Sequence, residues 1–173
     1  MKNKTFSIVF LVSILFIVLT SIPLLAKTTL QGKIMKVSDG DTVIVSPTEG
    51  GEFFVCRLYG IDAPESYGKE KQAYSEESKK ELKQLLLGQT VEVTTAGDKT
   101  HNREVCIIKK DGIDVNLEMI KRGAAWAYRK YLKEPYASKY IEAENEAKTN
   151  KIGLWKDGNA IPPWEFRQII RGK

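Results

Sequence analysis

Six residues stand where they could do chemistry on a phosphate ester: Asp39, Asp41, Arg57, Asp62, Glu65 and Arg103. Asp41 opens the alternating run Thr42-Val43-Ile44-Val45, and Arg57 lies inside the run that ends at Asp62. Asp62 and Glu65 flank Ala63-Pro64, and Arg103 opens a later apolar run. Two carboxylates from separate strand ends, with a backbone carbonyl and waters, suit a hard divalent cation. Two arginines offer planar, permanently charged forks for phosphate oxygens. A further carboxylate, Glu65, could orient or deprotonate a water for in-line attack.

Each residue also has a plainer reading. Asp-Gly is ordinary turn chemistry, so Asp39 and Gly40 read as the bend that delivers the chain into a strand. Asp62 and Glu65 could satisfy backbone groups around Pro64, and either arginine could be a surface ion pair. The joint placement favours a site. Arg57 alternates with Cys56 and Leu58, so its side chain points away from their apolar row. Rival chemistries are excluded by what the chain lacks. The single histidine, His101, rules out paired-histidine mechanisms, and two cysteines without a Cys-x-x-Cys pair cannot assemble a four-ligand zinc site. No nucleotide-binding glycine loop and no Gly-x-Ser-x-Gly elbow occur. An EF-hand would need an oxygen ligand where Val43 stands. Cys56 and Cys106 each fall on the apolar face of a strand, as a disulfide or as two small buried hydrophobes.

The elements that must position these residues are strands first. Residues 30–39, 41–47 and 52–62 form a three-stranded meander through two tight turns, with Phe54, Cys56 and Leu58 on one face. A helix is expected over about 71–87, with an apolar stripe of Ala73, Tyr74, Leu82, Leu85 and Leu86 and a cap at Gly88. Strands at 90–95 and 103–108 are joined by a polar loop. A short helix over 114–123 capped by Gly123 comes next, and a last helix covers about 137–149. The fold class is α+β, mainly β: a five-stranded barrel of the oligonucleotide-binding type with three helices. It forms one domain, 27–173, with a core over about 30–155 and a Trp- and Pro-rich tail over 156–173.

Residues 1–26 stand apart. Lys2 and Lys4 precede an uncharged run from Phe6 to Ala26, which reads as an export signal with cleavage after Ala26. Leu24 is not the small residue preferred there, so a retained membrane anchor is the alternative. Both place the domain in the cell envelope or outside the cell. The whole chain has 27 basic and 22 acidic residues, a net charge of +5; residues 1–26 hold two lysines and no acid, so without them it is +3. The basic residues cluster over 124–140, where Arg129, Lys130, Lys133 and Lys139 alternate with Trp126, Tyr128, Tyr131, Tyr136 and Tyr140. Cations beside rings suit a polyanion with stackable bases, while any one ring could equally face the core.

The stretches "SDGDTVIV", "CRLYGIDAPES", "NREV" and "NKIGLW" together resemble the staphylococcal (micrococcal) nuclease family, the thermonucleases. The resemblance implies a secreted, monomeric, calcium-dependent phosphodiesterase that cuts DNA and RNA with little sequence preference. It further implies cleavage of the bond to the 5′ oxygen, leaving 3′-phosphate ends. Matched position by position, Asp41 and Asp62 are the calcium carboxylates and Ala63 supplies a backbone carbonyl to the metal. Glu65 acts on the attacking water, and Arg57 and Arg103 hold the phosphate and stabilise charge in the transition state. Tyr131, then Tyr128, match the base-stacking tyrosines; Lys99 and His101 are candidates for substrate contact. The family often places Tyr-Gly before the second arginine, where this chain has His101-Asn102; Asn tolerates the left-handed backbone that Gly allows. The competing class is a non-catalytic nucleic-acid-binding module on the same barrel, which predicts lost carboxylates or arginines. A third is an envelope interaction domain. All five central positions are filled.

Overall fold

The computed structural model describes residues 28–66 and 70–172. The period-2 apolar runs become a closed barrel. Strand β1 (Thr29–Val37) pairs antiparallel with β2 (Thr42–Pro47), and β2 with β3 (Phe54–Leu58). On its other edge β1 pairs with β5 (Thr90–Thr100), and β5 with β6 (Arg103–Lys110). A parallel pairing of β3 with β6 closes the ring, with Arg57 opposite Val105 and Leu58 opposite Cys106. Closure removes the free edges that an open sheet would expose. The alternation predicted from sequence holds: Val43, Val45, Cys56, Leu58, Val93, Cys106 and Ile108 fill the interior. Fully burying each such aliphatic side chain contributes about 1.5–3 kcal/mol. Both cysteines are free, buried thiols.

Short elements extend this frame. The two-residue strand β4 (Ile61–Asp62) pairs with β8 (Trp126–Ala127), setting Asp62 opposite Trp126. Strand β7 (Ile113–Asp114) continues β6 into helix α2 (Val115–Lys121), whose first turn is capped by the Asp114 carboxylate accepting from the Leu117 amide at 3.0 Å. Helices α1 (Ser75–Leu86) and α3 (Ala137–Thr149) pack outside the barrel, and a 3₁₀ turn covers Gly153–Lys156.

Three expectations change. Helix α1 starts at Ser75, because Tyr74 takes a left-handed backbone (φ 70°) and Gln72 is drawn into side-chain bonds described below. Leu82 and Leu86 do face the core, but Ala73 lies outside the helix and is exposed. Strand β5 runs on to Thr100 through a bulge between Thr95 and Lys99, so the expected polar loop shrinks to His101-Asn102. Asn102 takes the left-handed backbone expected of it, at φ 61°, and His101 shares it at φ 48°. The segment read as a tail holds a fourth helix, α4 (Pro163–Arg171). Among the described residues no helix is long and apolar enough to cross a membrane. The expected export signal or anchor, residues 1–26, lies outside the described residues.

Candidate active site

The Asp39-Gly40-Asp41 turn divides its labour as the sequence suggests. One Asp39 oxygen accepts the Asp41 amide at 3.1 Å, an ordinary turn closure. Gly40 is required by close approach: a Cβ there would lie 1.9 Å from Ser78 Oγ and 2.7 Å from the Ala63 Cβ. Its missing side chain lets α1 seat against the turn. Asp41 is turned inward and buried. Its Oδ1 accepts from Thr42 Oγ1 at 2.9 Å and pairs with Arg57 Nη1, and its Oδ2 accepts the Ala63 amide at 3.0 Å. Burial alone would raise this carboxyl, but Arg57, the Ala63 amide and Thr42 outweigh it and hold it below the ordinary carboxylate value.

Strand β3 supplies the second component. Register places Arg57 opposite Thr42, beside Asp41, and its Nη2 also reaches Asp62 Oδ1 at 2.6 Å. Burial disfavours the guanidinium charge, yet Asp41 and Asp62 more than compensate, so Arg57 stays cationic at any working pH. Asp62 is buried at the β4–β8 pairing, which fixes the chain direction just before Ala63-Pro64. Burial and the Asp41 charge push Asp62 up, against its arginine partners. Glu65 is held by its own backbone: its amide donates to Gln72 Oε1 at 3.1 Å, and its carbonyl accepts the Gln72 amide at 2.9 Å. Arg103 opens β6 and reaches the cluster through Thr42, with Nη1 at 3.4 Å from Thr42 Oγ1.

Asp41, Arg57, Asp62, Glu65 and Arg103 are therefore brought to one mouth of the barrel. The proposed substrate contacts divide. Tyr128 and Tyr131 stand together, ring centroids 4.9 Å apart and edge to face, and Tyr131 is half exposed with Lys130 beside it. The other rings of the 124–140 run serve the scaffold. Trp126 meets Trp155, Tyr136 meets Tyr59 and Tyr140, and the Tyr140 hydroxyl donates to Asp114. Lys99 is engaged by Glu104 at 2.7 Å across the β5–β6 ladder. His101 lies exposed at the hairpin tip, in contact with its neighbour Thr100.

Sequence reasoning missed two residues of this mouth, both on α4. Arg167 forks onto Asp62, Nη2 to Oδ2 at 2.8 Å and Nη1 to Oδ1 at 3.2 Å, and the same Nη1 reaches Glu65 Oε1 at 2.5 Å. Trp164, one turn earlier, lies parallel to Tyr128 with centroids 5.4 Å apart and planes inclined by 2°. Gln72 links the two regions, donating from Nε2 to the Ile161 carbonyl at 2.6 Å. A usable signal existed: Pro163 at the helix start, Glu165 in the first turn and Arg171 in the last are an ordinary helix signature.

The donor set tests what the site could hold. Among the described residues, the buried carboxylates Asp41 and Asp62 are bridged by guanidinium cations, so the pocket calls for positive charge. Oxygen donors without sulfur or imidazole suit a hard cation. Among the described residues no three His, Cys, Asp or Glu side chains converge into a metal cage. A cation held here must therefore complete its shell with backbone carbonyl, water and substrate oxygens. The residues fit such an ion.

Comparison with known proteins agrees with this geometry. The profile of the family described as "Staphylococcal nuclease homologue" matches residues 55–157, which include Arg57, Asp62, Glu65 and Arg103. A Haemophilus influenzae protein described as an uncharacterized endonuclease is 36% identical over 136 residues, covering 79% of this chain and 72% of its own. An Escherichia coli O157:H7 protein of the same description is 36% identical over 139 residues, 80% of this chain and 85% of its own. A Shigella flexneri protein called micrococcal nuclease is 31% identical over 164 residues, covering 90% and 89%. With barrel, carboxylates and arginines in place, the chain belongs to the staphylococcal nuclease homologue family.

Proposed function

We propose that this chain is an extracytoplasmic, calcium-dependent nuclease that hydrolyses the phosphodiester bonds of DNA and RNA. The observation that carries the reading is the convergence of buried Asp41 and Asp62 on Arg57, with Glu65 beside them. Asp41, Asp62 and the Ala63 carbonyl would hold calcium, which when bound supplies Lewis-acid charge to a phosphate oxygen. Arg57 and Arg103 fork onto the non-bridging oxygens and neutralise the charge that grows on them in the transition state. Glu65 takes a proton from the water whose oxygen attacks phosphorus, and the bond from phosphorus to the 5′ oxygen breaks in line with that attack. The departing 5′ oxygen takes up a proton, leaving a 3′-phosphate and a 5′-hydroxyl. Tyr128 and Tyr131 stack against bases, a contact tolerant of sequence and worth about 1–3 kcal/mol per base. The extracytoplasmic placement rests on the charge and apolar pattern of residues 1–26.

The purified chain should degrade single- and double-stranded DNA and RNA with calcium and stop when a chelator is added. Products labelled at their 5′ ends by polynucleotide kinase without phosphatase treatment, and extended at their 3′ ends by terminal transferase only after it, would fit the proposed bond. Cleavage that persists in chelator would remove calcium from the account.

A further inference from the structure

We propose that helix α4 belongs to the active site and that Arg167 sets its affinity for divalent metal by competing for the same carboxylates. This inference rests on the calcium reading above. Asp62 Oδ1 accepts from both Arg57 and Arg167, and Oδ2 accepts from Arg167, while Glu65 Oε1 also accepts from Arg167. A calcium ion needs carboxylate oxygens within about 2.3–2.6 Å, on lone pairs these guanidinium groups now use. Something must give way. Arg57 is fixed in the barrel by β3, whereas α4 buries only Pro163 and contributes nothing to the hydrophobic core. Arg167 is the cation that yields.

Charge points the same way. Among the described residues of the mouth, Asp41, Asp62 and Glu65 face Arg57, Arg103 and Arg167, with Asp39 beside Asp41. A divalent ion with a phosphodiester monoanion brings a net single positive charge, the charge Arg167 carries. Exchange of Arg167 for that pair leaves the net charge of the mouth unchanged; retaining all of them adds a positive charge in a low-dielectric site, where like charges repel strongly. A second observation is independent of charge. Trp164 covers one face of Tyr128 as a stacked base would, so one face of α4 occupies the metal carboxylates and the stacking ring together. The Gln72 bond to Ile161 tethers the start of the segment beside Glu65. A tethered competitor acts at high effective concentration.

The test is calorimetric titration of the full chain with calcium chloride, without nucleic acid. Wild type is compared with Arg167→Ala, with Arg167→Lys, and with Arg171→Ala, which removes an exposed charge from the same helix. Thermal melts establish that each variant is folded. Arg167→Ala should bind calcium about fivefold tighter or more, the low end of ordinary coupling between binding events. Arg167→Lys should fall between, since it keeps the charge without the fork, and Arg171→Ala should match wild type. Calcium should also change tryptophan emission in wild type by more than in Trp164→Phe. If wild type binds calcium and Arg167→Ala binds it equally or more weakly, Arg167 supports the site instead of competing for it, and the inference is overturned. If neither binds, the calcium reading itself fails and takes this inference with it.

Discussion

A buried carboxylate outside the reaction shows how single residues secure the site. Glu144 is fully buried on α3, accepting the Ala127 amide at 3.0 Å, Arg129 Nη2 at 2.7 Å and Lys148 Nζ at 2.8 Å. Ala127 lies on β8, the strand paired with the one carrying Asp62, so Glu144 braces the backbone beneath a site residue. Burial pushes its carboxyl up, but Arg129, Lys148 and the Ala127 amide prevail and hold it below its ordinary value. A group depressed in the folded state adds stability that is complete above its unfolded value, about 4.3, and is lost as pH falls through the folded one. Glu144→Gln should therefore cost about 1–2 kcal/mol at pH 7. The gap to wild type should close as pH falls below about 4, as read by denaturant unfolding at pH 7 and pH 3. An undiminished gap in acid would show that the carboxylate charge is not what stabilises. Asp41 was legible because it opens the alternating run of β2, where a buried carboxylate is costly unless paired. Glu144 was not, because nothing along a helix reveals that a charged position faces a strand amide.

At the scale of elements, Gly153 shows what joins the helices to the barrel. It has φ +60°, and an added Cβ would lie 2.3 Å from the Gly123 carbonyl oxygen and 2.4 Å from that of Arg122. The 3₁₀ turn thus lies directly on the end of α2, where the Leu154 amide donates to the Gly123 carbonyl at 2.9 Å. Gly153→Ala combines left-handed strain with overlap against backbone and should destabilise by about 2 kcal/mol or more. An unchanged unfolding midpoint would contradict the packing described. The strands were readable because period-2 alternation on a closed barrel is local and strict. The C-terminal part of β5 was hidden by polar residues and a bulge, which break that period. Helix α4 was hidden by its Trp and Pro content, although its caps were present. Its partners, Asp62 and Tyr128, lie far off in sequence, so no local pattern announces the pairing.

The whole molecule is a barrel whose mouth collects residues from β2, β3, the β4 turn, β6 and α4. Closure by the β3–β6 pairing places Arg57 and Arg103 on neighbouring strands, and the β4–β8 pairing delivers Asp62 beside the Tyr128 segment. That arrangement explains why the cluster was readable as a set of strand-end residues, while its rim was not. Rim residues such as Lys99 are engaged locally, and the helix that reaches the mouth comes from the chain's last residues. On the proposed function, this mouth hydrolyses phosphodiesters with Arg57 stabilising the transition state. Single-turnover cleavage of DNA in saturating calcium by wild type and Arg57→Ala tests it most directly, with thermal melts run alongside. Loss of one preorganised donor should slow the chemical step by about 10²–10³-fold. A folded Arg57→Ala protein that cuts as fast as wild type would contradict it.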